Sequence, residues 1–260
     1  MSHIENMFSL KGKSAIVIGG SGTLGSEMAR ALASAGADTA IFYSGNREGA
    51  EATAASVEKL RVRSSIHQVD VRSSDAIRES VNSVCDAWGG IDILINAPGV
   101  NSATPLMEID EEEWDRILDI NLKGVFLATR IVGQKMIEQG RGGSVINISS
   151  ASSDIPLSRV FTYSISKAGM NNMTRFLARE WAEDKIRVNA IKPGFFPAEQ
   201  NRKILTKERQ QSIFNHTPMN RYGESEELSG TVIWLASEAA SSFVTGAVIP
   251  VDGGFTAMTI

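Results

Sequence analysis

Cysteine and histidine are scarce in this sequence, which has one cysteine and three histidines among its 260 residues. The single Cys85 excludes a disulfide within the chain and suits a reducing compartment, so we expect a cytoplasmic protein. His3, His67 and His216 lie far apart in the sequence. Because there is no Cys/His cluster with the spacing of a zinc site, we expect no metal.

Long apolar runs and an excess of positive charge are lacking as well. No apolar run reaches the roughly eighteen residues that a membrane span requires, and residues 1–13 lack the apolar core of a signal peptide. The formal net charge of −4 disfavours a general role in nucleic-acid binding. We therefore expect a small-molecule substrate, with neither nucleic acid nor a membrane as a partner.

What the chain does contain is a regular alternation of short apolar runs and helical segments. The runs predict strands at 14–19, 38–43, 65–70, 91–97, 143–149, 186–191 and 247–254. The other segments predict helices at 23–36, 49–61, 74–88, 110–139, 161–184, 200–215 and 225–237. This alternation is typical of a parallel sheet covered on both faces. We predict an α/β fold in which residues 1–260 form a single doubly wound, Rossmann-type domain that binds ligands beyond the carboxyl ends of its strands.

A glycine-rich turn follows the first predicted strand and opens the first long helix. The candidate cofactor-binding residues of this turn are Gly19, Ser21, Gly22, Thr23, Leu24 and Gly25. Glycines let the backbone approach a pyrophosphate closely, and a helix N-terminus favours its charge. An ordinary turn could contain the same glycines, but the position between strand and helix favours a dinucleotide site.

The end of the second predicted strand bears on the choice between the two nicotinamide dinucleotides. An NAD site usually offers an acidic residue there to the ribose 2′-hydroxyl, whereas this chain has Tyr43, Ser44, Asn46 and Arg47. Arg47 could meet a 2′-phosphate, so NADP(H) is favoured and NAD(H) remains possible. The alternative is that Arg47 is a solvated residue at the start of a helix.

Further candidate cofactor residues follow the third and fourth predicted strands. Asp70, which precedes Val71, could accept a hydrogen bond from the adenine amino group, or it could merely cap the turn. Asn96, Ala97 and Pro98 follow the fourth strand, where the adenosine ribose would lie.

Tyr163 and Lys167 are four residues apart in a predicted helix and so share one face. A neighbouring ammonium favours the phenolate and would lower the tyrosine pKa from its usual value of about 10, which suits a general acid or base. Ser150 follows the fifth strand, and the Asn121 amide lies in a long helical stretch, where it could interrupt backbone bonding. A Tyr-x-x-x-Lys pair alone is weak evidence.

Taken together with other short motifs, these residues resemble the short-chain dehydrogenase/reductase family. The motifs are the glycine turn at 19–25, DV at 70–71, INAPG at 95–99, Asn121, ISS at 148–150, YSISK at 163–167, RVNAIKPG at 187–194 and FVTGAVIPVDGG at 243–254. The resemblance extends from about residue 10 to residue 254, and it is specific because the motifs occur together.

The resemblance implies a catalytic tetrad of Asn121, Ser150, Tyr163 and Lys167. Tyr163 would pass a proton to or from the substrate oxygen, and Ser150 would hydrogen-bond that oxygen. Lys167 would bind the nicotinamide ribose and favour the Tyr163 phenolate, so both residues also count as cofactor-binding. Asn121 would hold a water that leads protons to Lys167. The hydride chemistry itself belongs to the cofactor.

Three residues depart from the family pattern near the cofactor. Ile18 and Ala97 replace a usual threonine and asparagine, and Thr23 stands at the usual middle glycine. We expect altered hydrogen bonding around the cofactor but no loss of a tetrad member.

The segment after the sixth predicted strand is expected to bind nicotinamide and substrate. Pro193, Gly194 and Phe196 are its candidate cofactor residues, within a substrate loop at about 194–222. With Ser150, two arginines are candidate substrate residues, Arg159 and Arg202, since arginine suits a carboxylate or phosphate. The alternative is that both arginines are solvated.

Segments of this region resemble the branch of the family that includes D-mannonate oxidoreductase (fructuronate reductase) and gluconate 5-dehydrogenase, which implies a sugar acid or keto-sugar acid. Two rivals are a 3-oxoacyl-carrier-protein reductase, which would need a basic docking patch, and a catalytically idle dinucleotide-binding sensor. The family resemblance also implies a homotetramer, with the helices at 110–139 and 161–184 as candidate contacts between subunits.

Overall fold

The central sheet contains seven strands in the computed structural model, which describes residues 2–197 and 206–258. The strands are β1 (Ser14–Ile18), β2 (Asp38–Tyr43), β3 (Ser64–Gln68), β4 (Ile93–Asn96), β5 (Gly143–Ile148), β6 (Ile186–Pro193) and β7 (Val248–Val251). Their order is β3-β2-β1-β4-β5-β6-β7, and every pair is parallel. The predicted parallel sheet is confirmed.

Helices connect the strands and cover the sheet. They are α1 (His3–Phe8), α2 (Thr23–Ser34), α3 (Arg47–Glu58), α4 (Ser74–Trp88), α5 (Glu111–Leu118), α6 (Gly124–Gln139), α7 (Phe161–Glu180), α8 (Lys207–Asn215), α9 (Ser229–Ala236) and α10 (Glu238–Ser241). Short 3₁₀ turns lie at Leu106–Glu108, Ala151–Ser153, Ser225–Leu228 and Phe255–Ala257. The sequence did not predict α1, and the first part of the helix predicted at 200–215 lies outside the described residues. None of the helices described is both long and apolar enough to cross a membrane.

The sheet is buried on both faces, as a doubly wound fold requires. Side chains alternate along a strand, so Ala15 and Val17 of β1 belong to one hydrophobic layer, and Ile16 and Ile18 belong to the other. Helices α2, α3 and α9 contribute to the first layer, and α4, α6 and α7 contribute to the second. All five residues of β1 are buried.

The chain reverses its direction of progress through the sheet at β1, which lies between β2 and β4. Such a topological switch opens a crevice at the carboxyl ends of the two central strands, where open α/β folds bind ligands. The glycine turn leads from β1 into α2, and the loop after β4 lies beside it, because the Ala97 N–H donates to the Ile18 carbonyl at 3.0 Å.

The helical stretch predicted at 110–139 is interrupted by one π-helical turn, Asp119–Lys123, between α5 and α6. Single π turns are uncommon inside α-helices and occur often at functional sites. Asn121 is the middle residue of this turn and is completely buried. The expected interruption of regular backbone bonding near Asn121 is confirmed.

Candidate active site and cofactor groove

Two positions of the glycine turn have no room for a side chain, whereas a third has free space beside it. Gly19 has a φ of +80°, and a Cβ there would lie 2.5 Å from the Ala97 carbonyl oxygen. A Cβ on Gly25 would overlap the carbonyl oxygen of Gly19. A Cβ on Gly22 would meet no protein atom closer than 3.5 Å. Gly22 is also the N-cap of α2, without a side-chain cap, so the first N–H groups of this helix face an open space suited to a phosphate.

A cavity of about 320 Å³ runs from this turn across the ends of β2, β3 and β4, within the range of ligand-binding pockets. The predicted cofactor residues that line it are Gly19, Ser21, Gly22, Tyr43, Ser44, Asn46, Asp70, Val71, Ala97 and Pro98. We call this cavity the cofactor groove. Sequence reasoning missed Arg72, which also lines the groove and pairs with Asp70 at 2.7 Å.

The structure corrects the prediction for Asn96. Its side chain is completely buried, and its Nδ2 atom donates to Thr129 Oγ1 at 2.8 Å and to Asn147 Oδ1 at 2.9 Å. Asn147 is its register partner on β5, and the pleat turns both amides to the face covered by α6 and α7, where Asn147 Nδ2 donates to Thr174 Oγ1 at 2.9 Å. Asn96 therefore supports the sheet behind the groove and does not line it.

Arg47 also lies away from the lining of the groove. It begins α3, and its Nε atom donates to the Glu51 carboxylate at 2.7 Å. This hydrogen bond and the charge of Glu51 raise the pKa of Arg47. Thr23, Leu24 and Gly25 likewise serve as the first residues of α2 and are not among the lining residues.

Lys167 is the most constrained charged group of the site. Helix α7 carries it one turn after Tyr163, and its Nζ atom donates to the Ile148 carbonyl at 2.7 Å and lies 5.5 Å from the centre of the Tyr163 ring. Only 3% of the residue is exposed. Burial disfavours the ammonium and lowers the pKa of Lys167 to about 8.

The expectation that Lys167 lowers the pKa of Tyr163 is wrong for this structure. Burial raises the pKa of Tyr163, and a hydrogen bond with the Ser150 side chain only partly opposes that effect. The physical reason is that burial disfavours the charged phenolate, while the Lys167 ammonium hydrogen-bonds the Ile148 carbonyl. Tyr163 is therefore held as a neutral phenol beside Ser150.

Asn121 holds the loop after β4 in a two-point contact. Its Oδ1 atom accepts from the Val100 N–H, and its Nδ2 atom donates to the Val100 carbonyl, both at 2.9 Å. Nδ2 also donates to the Ser166 hydroxyl at 3.2 Å. Because Ser166 lies between Tyr163 and Lys167 on α7, the π turn, the loop and α7 are fixed relative to one another. The sequence did not single out Ser166.

Gly99 joins the groove to this polar cluster. A Cβ built on Gly99 would lie 3.9 Å from both Asn121 Oδ1 and Lys167 Nζ, and Gly99 lines the groove. The predicted tetrad residues are therefore brought together at one end of the cofactor groove, with Ser150 beside Tyr163.

Comparison with known proteins decides the family. A family model described as enoyl-(acyl carrier protein) reductase matches residues 20–256. This chain belongs to the short-chain dehydrogenase/reductase family. Members of the family act on alcohol and ketone groups, and the protein is an oxidoreductase of this kind.

Two curated short-chain dehydrogenase/reductase relatives have different substrates in their names. The chain is 34% identical over 257 residues to the gluconate 5-dehydrogenase of Gluconobacter oxydans (strain 621H), which covers 98% of this chain and 99% of that protein. It is also 34% identical over 242 residues to a 3-oxoacyl-[acyl-carrier-protein] reductase of Staphylococcus epidermidis, which covers 93% of this chain and 98% of that protein.

Two solved structures of the family match the whole fold. Gluconate 5-dehydrogenase from Burkholderia cenocepacia J2315, in complex with NADP and tartrate, has a TM-score of 0.92 at 32% identity and covers 99% of this chain and 100% of its own. A candidate D-mannonate oxidoreductase from Haemophilus influenza with bound NAD has a TM-score of 0.91 at 31% identity, with 99% of both chains covered. These relatives support a nicotinamide dinucleotide as the cofactor.

The residues of this short-chain dehydrogenase/reductase fit such a cofactor. Gly22 leaves a space at the N-terminus of α2, and a side chain at that position would enter the space. Asp70 lines the groove, and the Lys167 ammonium lies near Gly99, which lines it as well. No group of three or more potential metal ligands occurs among the residues that the structure describes.

The remaining candidates lie beyond the groove. Gly194 follows β6, and its N–H donates to the Val251 carbonyl at 3.0 Å. Phe196 lines a second cavity, of about 350 Å³, where its ring packs over Gly223. Arg159 is exposed and has a φ of +62°. The prediction for Arg202 falls outside the described residues.

Proposed function

We propose that this protein is an NADP(H)-dependent oxidoreductase that interconverts a secondary alcohol and a ketone on a sugar acid or keto-sugar acid, such as mannonate and fructuronate. The observation that carries this proposal is the buried Lys167 ammonium, placed between the Ile148 carbonyl and the Tyr163 ring at the end of the cofactor groove. A buried cation beside a phenol suits proton transfer, and no carboxylate in the described part of the chain forms an ion pair with this one.

Tyr163 is the proton donor in ketone reduction and the acceptor in alcohol oxidation. Its raised pKa keeps the proton on the phenol, and Ser150 shares a hydrogen bond with it, so the two hydroxyls can hold one substrate oxygen between them. Lys167 stabilises the phenolate that forms when the proton leaves. Asn121 fixes the loop beside Lys167 through Val100.

The bound nicotinamide dinucleotide supplies the hydride or accepts it. Gly19, Ser21 and Gly22 would hold the pyrophosphate, and Asp70 with Val71 would hold the adenine. Lys167 would bind the ribose next to the nicotinamide. Pro193, Gly194 and Phe196 remain our candidates for contacts with the nicotinamide.

The preference for NADP(H) rests on the end of β2. The groove there is lined by Tyr43, Ser44 and Asn46 without a carboxylate, and Arg47 follows directly. A ribose 2′-phosphate would compete with Glu51 for the Arg47 guanidinium, and it would offer more charge.

The sugar-acid class is supported by relatives whose names include gluconate and D-mannonate. The rival substrate, an acyl thioester on a carrier protein, is supported by the staphylococcal relative. The net charge of −4 opposes docking of an acidic carrier, because like charges repel.

A screen of substrates tests the proposal. We would follow the absorbance of NADPH and NADH with keto-uronates, keto-gluconates, neutral ketones and an acetoacetyl thioester. We expect turnover of a keto-sugar acid with NADPH as the better cofactor. Turnover of only the thioester or of neutral ketones would overturn the substrate assignment and leave the proton-transfer residues intact.

We also propose that four copies of the chain associate. Phe126 on α6 and three residues of α7, Phe161, Ile165 and Phe176, expose between 37% and 63% of their surface. Large apolar side chains on neighbouring helices favour contact with a second copy of the chain. Light scattering is expected to give the mass of a tetramer, and the mass of a monomer would contradict this. The single Cys85 suits the reducing cytoplasm as its compartment.

A further inference from the structure

A third cavity, of about 600 Å³, lies between the loop after β4, the segment before α7 and the start of α8. Its lining residues are Asn101, Ser102, Ala103, Ser158, Arg159, Val160 and Arg209. Asn101 follows Val100, the residue that Asn121 holds at both backbone atoms. Val160 precedes Tyr163 by three residues, about one helical turn. The cavity is therefore placed where the part of a substrate remote from its carbonyl would extend.

Two arginines from different segments meet at this cavity. Arg159 belongs to the loop before α7, and Arg209 belongs to the first turn of α8. The Nη1 atom of Arg209 donates to the Ser158 hydroxyl at 3.1 Å, so its guanidinium reaches the residue that precedes Arg159, and both arginines line the cavity. Two nearby cations repel each other unless an anion lies between them.

No carboxylate of the described residues neutralises this pair. Neither Arg159 nor Arg209 forms an ion pair within residues 2–197 and 206–258. Glu113 does not line the cavity; its carboxylate accepts hydrogen bonds from the Ser102 and Thr104 hydroxyls at 2.7 and 2.6 Å. Glu208, the neighbour of Arg209, hydrogen-bonds with Thr206 and lines an adjacent cavity. Among the described residues, the lining itself therefore contains two cationic side chains, neutral polar groups and no carboxylate.

Both arginines are held in place by their backbones. The Thr206 hydroxyl caps α8 by accepting from the Arg209 N–H at 3.2 Å. Ile213 is 3% exposed, and the Phe214 ring packs against Tyr222 at 4.8 Å, so α8 is anchored to the domain. Arg159 has a left-handed φ of +62°, a conformation that costs free energy for a residue other than glycine and that often marks functional positions.

We infer that Arg209, together with Arg159, binds the carboxylate of the substrate and that this pair determines specificity for an acid over a neutral ketone. The inference rests on the proposed sugar-acid function and adds the residues that select the acid. A carboxylate offers two oxygens that match guanidinium donors, so two arginines can hold it from two sides. The pair acts in substrate binding, and proton transfer stays with Tyr163.

The test compares KM and kcat for a keto-sugar acid and for a neutral ketone of similar size. In Arg209→Gln and Arg159→Gln we expect the KM for the acid to rise about 10- to 100-fold, since each loses a charge-assisted hydrogen bond. We expect kcat for both substrates and the KM for the neutral ketone to stay near the wild-type values. For Arg209→Lys, the KM for the acid should lie between the values of the wild type and of Arg209→Gln, because lysine keeps the charge but lacks the planar guanidinium with its paired donors.

Lys207→Gln is the matched control. Lys207 is exposed on the same helix, and its removal changes the net charge equally, but it does not line the cavity. We expect this variant to keep the wild-type KM for the acid. The affinity for NADPH and the melting temperature are measured for every variant to verify that it is folded.

Three outcomes would overturn the inference, and the measurements distinguish them. If the wild-type enzyme reduces the acid and both glutamine variants keep its KM, the arginine pair is wrong and the sugar-acid function stands. If the wild-type enzyme reduces only neutral ketones or a thioester, the sugar-acid function fails first, and the carboxylate site fails with it. An equal rise in KM for acid and neutral ketone would show a structural effect and would also reject the pair.

Discussion

Replacing Gly22 and Gly25 by alanine should separate cofactor binding from stability. A Cβ on Gly22 meets no protein atom closer than 3.5 Å and projects into the groove, whereas one on Gly25 overlaps the Gly19 carbonyl oxygen. Gly22→Ala therefore leaves the protein unstrained, and we expect a stability change of less than about 1 kcal/mol. A pyrophosphate displaced by the methyl group loses one charge-assisted hydrogen bond, about 1.5–3 kcal/mol, or about 10- to 100-fold in the dissociation constant of NADPH.

Gly25→Ala should show the opposite pattern. Overlap with backbone costs about 1–3 kcal/mol, and the better helix propensity of alanine returns up to about 1 kcal/mol. We expect thermal unfolding without cofactor to shift down by a few degrees for Gly25→Ala and to stay unchanged for Gly22→Ala. Fluorescence titration with NADPH measures the affinity of both. Wild-type affinity in Gly22→Ala would refute the placement of the pyrophosphate at this turn.

Four other substitutions have distinct expected results. Tyr163→Phe should lower kcat about 10²- to 10⁴-fold with an unchanged dissociation constant for NADPH, and near-normal turnover would mean that another group supplies the proton. Arg47→Ala should raise the KM for NADPH about 10-fold and leave that for NADH unchanged, whereas an equal rise for both would remove Arg47 from cofactor selection. The pKa of Lys167 is about 8 in the folded chain, and its ordinary value is 10.5. Between these pH values the unfolded chain binds more protons, so the free energy of unfolding rises with pH, by about 3 kcal/mol at most. Denaturant unfolding of Lys167→Met, measured across this pH range, should lack the rise. Burial acts to raise the pKa of Asp154, but its hydrogen bond with Lys192 and the charge of Lys192 hold that pKa below 3.8. The resulting stabilisation is present at neutral pH and is lost as pH falls through the folded pKa. Because solvent screens the half-exposed Asp154 carboxylate, Asp154→Ala should remove at most about 1 kcal/mol at neutral pH in a urea titration.

The architecture could be predicted from sequence because strand periodicity, glycine turns and helix spacing are local signals. Each strand predicted from an apolar run has a counterpart in the sheet, with ends that differ by a few residues, such as 91–97 against Ile93–Asn96. The four tetrad positions were recognised for a different reason: the spacing of Tyr163 and Lys167 is set by one helical turn, and the other motifs occur in a fixed order along the chain.

The orientation of a side chain, its tertiary contacts and its burial could not be predicted from local sequence signals. Asn96 stands at the end of β4, but the pleat turns it toward Asn147 and Thr129. Arg209 lies in a charged helix that resembles any solvated surface, and only the approach of α8 to Ser158 shows that it lines a cavity. The pKa of Tyr163 depends on burial, which a sequence does not show.

The departures at Ile18 and Ala97 are tolerated because the groove is built there from backbone atoms. The Ala97 N–H donates to the Ile18 carbonyl at 3.0 Å, and the N–H groups of Gly19 and Gly20 donate to the Phe42 carbonyl at 2.9 and 3.2 Å. None of these hydrogen bonds depends on a side chain at 18 or 97. The positive φ of Gly19 and its close approach to the Ala97 carbonyl do depend on residue type, because only glycine fits there. The turn therefore constrains Gly19 and Gly25 by residue type, whereas its hydrogen bonds at residues 18 and 97 are made by the backbone.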